Sequence, residues 1–99
     1  MEFTIAGKRV VVKQDLTLED GYDIFGLLIK VDSTDVRTQV PLAVKMIESW
    51  EFEGDPHNLE TYNKMDVIRV LIPLFRRIIK HVNDMMSASN TDDNEESKN

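Results

Sequence analysis

Apolar residues recur with a helical period from Asp66 to Met86. At about 100° per residue, Val67, Ile68, Val70, Leu71, Ile72, Leu74, Phe75, Ile78, Ile79, Val82, Met85 and Met86 fill one arc of roughly 200°. Asp66, Arg69, Pro73, Arg76, Arg77, Lys80, His81, Asn83 and Asp84 fill the complement, with His81 at its margin. A surface helix needs an apolar stripe of only about 100°, so this pattern predicts a helix with neighbours on two sides. Pro73 removes a backbone hydrogen bond and crowds the carbonyl of Arg69. On the polar face water satisfies that carbonyl, which predicts one kinked helix rather than two.

The rest of the chain divides around this segment. Phe3 and Ile5 alternate with Glu2 and Thr4, and Val10, Val11 and Val12 follow Ala6-Gly7-Lys8. These runs predict a β-hairpin over 2–13 with Gly7 at positive φ. Such a hairpin is marginal alone and must lie on the helices or pair with another chain. Thr17 suits a helix N-cap, and Leu18, Tyr22, Phe25 and Ile29 follow helical spacing, widened by Ile24, Leu28 and Val31. Gly21 and Gly26 each cost this helix about 1 kcal/mol relative to alanine. Val40, Ala43, Val44, Ile47 and Trp50 predict a further helix over 40–50, opened near Pro41. Glu51 to Asn58 reads as a loop, and Asn58 as the cap of a short turn through Leu59 and Tyr62. Ser87 to Asn99 has one alanine as its only apolar residue and predicts a disordered acidic tail. The expected fold class is therefore mainly α: one domain over 1–86, a small helical bundle with an N-terminal β-hairpin, followed by the tail at 87–99.

Ninety-nine residues suffice for a single domain with a modest core. The chain has no cysteine, which excludes a disulfide framework and thiolate chemistry. No apolar run approaches a membrane span, so no membrane partner is expected and the cytoplasm is the expected location. The formal charge of -6 is uneven: -5 over residues 1–65, +2 over 66–86 and -3 over 87–99. Overall acidity argues against generic nucleic-acid binding. The glycines at 7, 21, 26 and 54 make no phosphate loop, and His57 and His81 lack a metal-pairing neighbour at helical spacing. No catalytic constellation, cofactor or metal is expected.

Two features point to binding rather than chemistry. The basic stripe Arg69, Arg76, Arg77 and Lys80 reads either as a solvated face or as a docking surface for an acidic partner. No aromatic residue interleaves with it as base stacking would need. The broad apolar arc reads either as core or as a face partly open to another chain, with the methionines as adaptable surface.

The stretch VKMIESWEFEGDPHNLETYNKMDVIRVLIPLF resembles a pattern of tail assembly chaperones from long-tailed bacteriophages. There a helix ends at a tryptophan, here Trp50; a Gly/Pro loop follows, here Gly54-Asp55-Pro56; then a capped turn, here Asn58-Leu59-Glu60; then a final helix opened by Asp66. The resemblance covers about a third of the chain and leaves the N-terminal hairpin unmatched. It implies a non-enzymatic, mostly helical oligomer in the host cytoplasm that coats the tape measure protein and keeps it soluble while tail tube protein assembles. It also implies a longer frameshifted form, and Ser97-Lys98-Asn99 is compatible with a slippery codon run. Trp50, Phe52, Leu74, Phe75, Ile78 and Met85 are the expected client contacts, with Arg69, Arg76, Arg77 and Lys80 beside them. The rival reading is a small dimeric helical regulator or adaptor that meets nucleic acid or an acidic partner through that basic face.

Overall fold

The computed structural model describes the backbone of residues 1–98 and the side chains of residues 1–87. Strand β1 (Glu2–Ile5) and strand β2 (Lys8–Val12) pair antiparallel, Glu2 opposite Val11 and Ile5 opposite Lys8. Ala6 and Gly7 close them with φ of 50° and 78°. Two successive left-handed residues match the twist of the flanking strands, and only one of them is a glycine.

A third strand overturns the expected bundle. Helix α2 (Val40–Met46) stops four residues early, and Ile47–Trp50 forms β3. Strand β3 pairs antiparallel with β2, Val10 opposite Trp50 and Val12 opposite Ile47, with Glu48 as the extra residue of a bulge. The described residues thus form an α+β fold, a sheet in the order β1-β2-β3 with helices against one face. The cause lies in Ile47 and Trp50, whose spacing suits a helix but whose shapes favour a pleated surface. A hairpin gains more from a third strand than α2 gains from another turn.

Helix α1 (Leu18–Ile29) starts where Thr17 Oγ1 accepts the Asp20 N–H at 3.1 Å. A 3₁₀ turn (Val36–Thr38) leads into α2, and Asn58 caps the short α3 (Leu59–Tyr62) by accepting the Glu60 N–H at 3.0 Å. Asp66 then accepts from Ile68 and Arg69 N–H groups at 3.0 and 2.9 Å. These bonds open a π turn (Val67–Leu71), in which Leu71 N–H reaches back five residues to Asp66 O. The wide turn runs straight into α4 (Ile72–Lys98), and its extra residue just before Pro73 relieves the clash of the proline ring with the carbonyl four residues back. The tail expected at 87–99 falls on the last turns of α4, whose side chains beyond Ser87 lie outside the described residues, as does Asn99.

One cluster forms the core. Phe3, Ile5, Val10, Val12 and Ile47 of the sheet join Ile24 of α1, Leu42, Ala43 and Met46 of α2, Tyr62 of α3, and Leu71, Leu74, Phe75, Ile78 and Val82. The Arg77 guanidinium lies 4.9 Å above the Phe3 ring, and His81 Nε2–H donates to Lys13 O at 2.9 Å, so α4 runs along the sheet. Helix α1 packs in the opposite sense to its expected apolar face. Ile24 is buried and Leu27, Leu28 and Val31 are half-buried, whereas Leu18, Tyr22, Phe25 and Ile29 point to solvent.

Candidate functional site

The segment after β3 is fixed by polar bonds that the sequence does not display. Trp50 Nε1–H donates to Gly54 O at 2.8 Å, His57 Nε2–H to Ile47 O at 2.8 Å, and the Tyr62 hydroxyl to Pro56 O at 2.6 Å. Gly54 has φ of 94°, and a Cβ there would stand 2.6 Å from Thr61 Cγ2. No other residue type fits that position without displacement. Trp50 packs edge-on to Phe52 at 5.4 Å and against Tyr62 at 5.3 Å, and Tyr62 reaches Phe75 at 6.2 Å. This aromatic chain ties the loop to the core.

Burial, together with the Asp55 carboxylate, pushes the Tyr62 phenol well above its ordinary range. It stays protonated and keeps its bond to Pro56. Such a group serves as a structural hydrogen-bond donor.

Held this way, the loop, α3 and the π turn enclose an open groove of about 520 Å³. Phe52, Met65 and Val70 supply its apolar lining, and Glu53, Glu60, Asp66 and Lys64 its charged rim. Val67 and Ile68 stand on the same π turn, and Ile68 is 73% exposed. Leu59, at the start of α3, is also exposed. Three carboxylates against one ammonium make the rim acidic, suited to an apolar segment flanked by basic residues.

The expected contact residues separate into three groups. Leu74, Phe75 and Ile78 are fully buried and hold the core together, so none of them is open to a client. Trp50 and Met85 are half-buried against that core, while Phe52 is half-buried and lines the groove. Arg69, Arg76, Arg77 and Lys80 are exposed, but Arg77 covers Phe3 and Lys80 pairs with Asp84 at 2.9 Å. Sequence reasoning missed Ile68, Val67 and Leu59 as open surface, and the row Leu18, Tyr22, Phe25 and Ile29. For that row a signal existed: apolar positions on opposite sides of one helix exceed what a single packed face can use.

Among the described residues no group of three or more His, Asp or Glu side chains is placed to hold a metal ion. No helix among them is long and apolar enough to cross a membrane. The chain matches no protein-family model, no curated protein and no solved structure.

Proposed function

We propose that this chain is a non-enzymatic binding protein that shields apolar helical segments of a client, in the manner of a tail assembly chaperone acting on the tape measure protein in the host cytoplasm. The observation that supports this reading is the open groove of Phe52, Met65 and Val70 with its acidic rim. A domain of this size gains stability from every buried apolar side chain, yet these three remain only half-buried. An amphipathic client helix would lay its apolar face along that surface and its basic flanks against Glu53, Glu60 and Asp66. The net negative surface left outside would keep coated complexes apart by charge repulsion.

The test is co-expression with a tape measure protein that is insoluble alone. The unaltered chain should bring it into the soluble fraction in a high-mass complex. Glu53→Lys combined with Glu60→Lys should abolish that effect while the melting curve stays unchanged, because both side chains are exposed. Phe75→Asp is unsuitable, since it places a carboxylate in the core. Solubilisation unaffected by these two reversals, or no solubilisation by the unaltered chain, would overturn the proposal. Salt-sensitive capture of nucleic acid through Arg69 and Arg76 would favour the regulator instead.

A further inference from the structure

We infer that α1 is a self-association seam, on which a second copy of this chain packs antiparallel about a two-fold axis. Leu18, Tyr22, Phe25 and Ile29 are 80%, 74%, 45% and 85% exposed. At helical spacing they form a ridge about 60° wide, running the 12 residues of α1. Gly21 and Gly26 flank it, one on each side.

Three observations select a second copy as the occupant. First, the ridge reads the same in reverse. Taken about the midpoint between Asp23 and Ile24, Leu18 exchanges with Ile29, Gly21 with Gly26, and Tyr22 with Phe25. An antiparallel two-fold contact therefore sets Leu18 level with the other copy's Ile29 and Tyr22 level with its Phe25, apolar against apolar along the whole seam.

Second, among the described residues nothing packs closely on either glycine. Both have ordinary helical backbone, and a Cβ at either would meet nothing within 4 Å. Each still weakens α1 by about 1 kcal/mol relative to alanine. In the antiparallel pair they become low shoulders that receive the aromatic rings of the facing helix, letting the axes approach to about 8 Å.

Third, the charges on the ridge's flank complement themselves. Glu19 and Lys30 lie on the same side of the ridge at opposite ends, and among the described residues neither makes an ion pair. Asp20 and Asp23, by contrast, are engaged by Lys13 and Lys45. The two-fold axis brings Glu19 of one copy level with Lys30 of the other, with an axial offset of about 3 Å, twice over. A seam about 18 Å long lies near the lower end of specific interfaces, which makes the dimer concentration-dependent rather than permanent.

The experiment is sedimentation equilibrium of the full chain across a concentration series, with charge-reversed variants. The unaltered chain should dimerise, and Tyr22→Glu should weaken the dimer at least about tenfold while melting like the parent at concentrations where the parent is monomeric. Glu19→Lys and Lys30→Glu should each weaken self-association, since each sets like charges together at both ends. Mixed with each other, those two variants should form a heterodimer tighter than either homodimer. A monomer at every concentration, or a dimer indifferent to both Tyr22→Glu and the charge reversals, would overturn the inference. So would equal association of the mixture and the separate variants.

Discussion

Replacing Tyr62 with phenylalanine should lower stability at neutral pH and raise it, relative to the parent, at high pH. The ring is buried and its hydroxyl donates to Pro56 O at 2.6 Å. Losing one such bond costs about 1 kcal/mol. The alkaline behaviour follows from ionisation. In the unfolded chain the phenol ionises near pH 10, while burial and the Asp55 carboxylate hold it protonated in the native fold to higher pH. Below about pH 10 both states keep the proton, so the hydroxyl's contribution is intact. Above that pH only the unfolded state releases it, and the fold loses up to about 1.4 kcal/mol per pH unit. Near pH 11 this loss is about 1.4 kcal/mol, enough to cancel the hydrogen bond, so parent and Tyr62→Phe should cross there. Urea unfolding followed by the fluorescence of Trp50, whose ring lies 5.3 Å from Tyr62, gives both stabilities at each pH. Titrations common to both chains cancel in the difference. A stability difference that stays constant from neutral pH to pH 11 would refute the assignment of the perturbed phenol.

Three further substitutions probe the fold. Gly54→Ala should cost about 1–3 kcal/mol in urea unfolding, through positive φ and the close approach to Thr61, and adding Thr61→Ser should recover only the steric part. Ala6→Asn should stabilise the hairpin by about 0.5 kcal/mol, seen as a higher melting temperature, because φ of 50° suits asparagine better than alanine. Leu74→Ala should cost about 2–5 kcal/mol, since the side chain is fully buried at the centre of the core; a cost under 1 kcal/mol would place Leu74 outside it.

Sequence pattern and structure part company where two solutions share one pattern. The apolar arc of the final helix was legible, because Leu74, Phe75, Ile78 and Val82 can be buried on only one side of a helix. The positive φ of Gly7 was legible too, as a turn needs such a residue. The end of α2 was not: Ile47 is buried whether the chain continues as helix or crosses to β2, and only the unpaired edge of β2 decides. The facing of α1 was not legible either, since its apolar positions cover two arcs and the choice depends on where α2 packs. Pro73 signalled a disturbance correctly, but its resolution through a π turn rests on the double cap at Asp66. The groove depends on Gly54, Trp50 and Tyr62 meeting across a loop, which no periodicity encodes.

The two surfaces share no residue, and this separation makes their combined effect testable. The ridge lies within 18–29, whereas the groove draws on 52–70. Two copies joined along α1 would present two equivalent grooves to one long client, so the second engagement becomes intramolecular. With grooves of about 10 μM affinity and an effective concentration of about 1 mM, the bivalent complex would bind near 0.1 μM, a hundredfold gain with no new contact. Tyr22→Glu should therefore weaken capture of a client carrying two apolar segments about a hundredfold, yet leave a single-segment peptide's affinity unchanged. Glu53→Lys with Glu60→Lys should weaken both. Titration calorimetry with the one-segment and two-segment peptides separates these effects. If Tyr22→Glu reduced affinity for the single segment as well, the ridge would itself be client surface, and the division between seam and groove would be wrong.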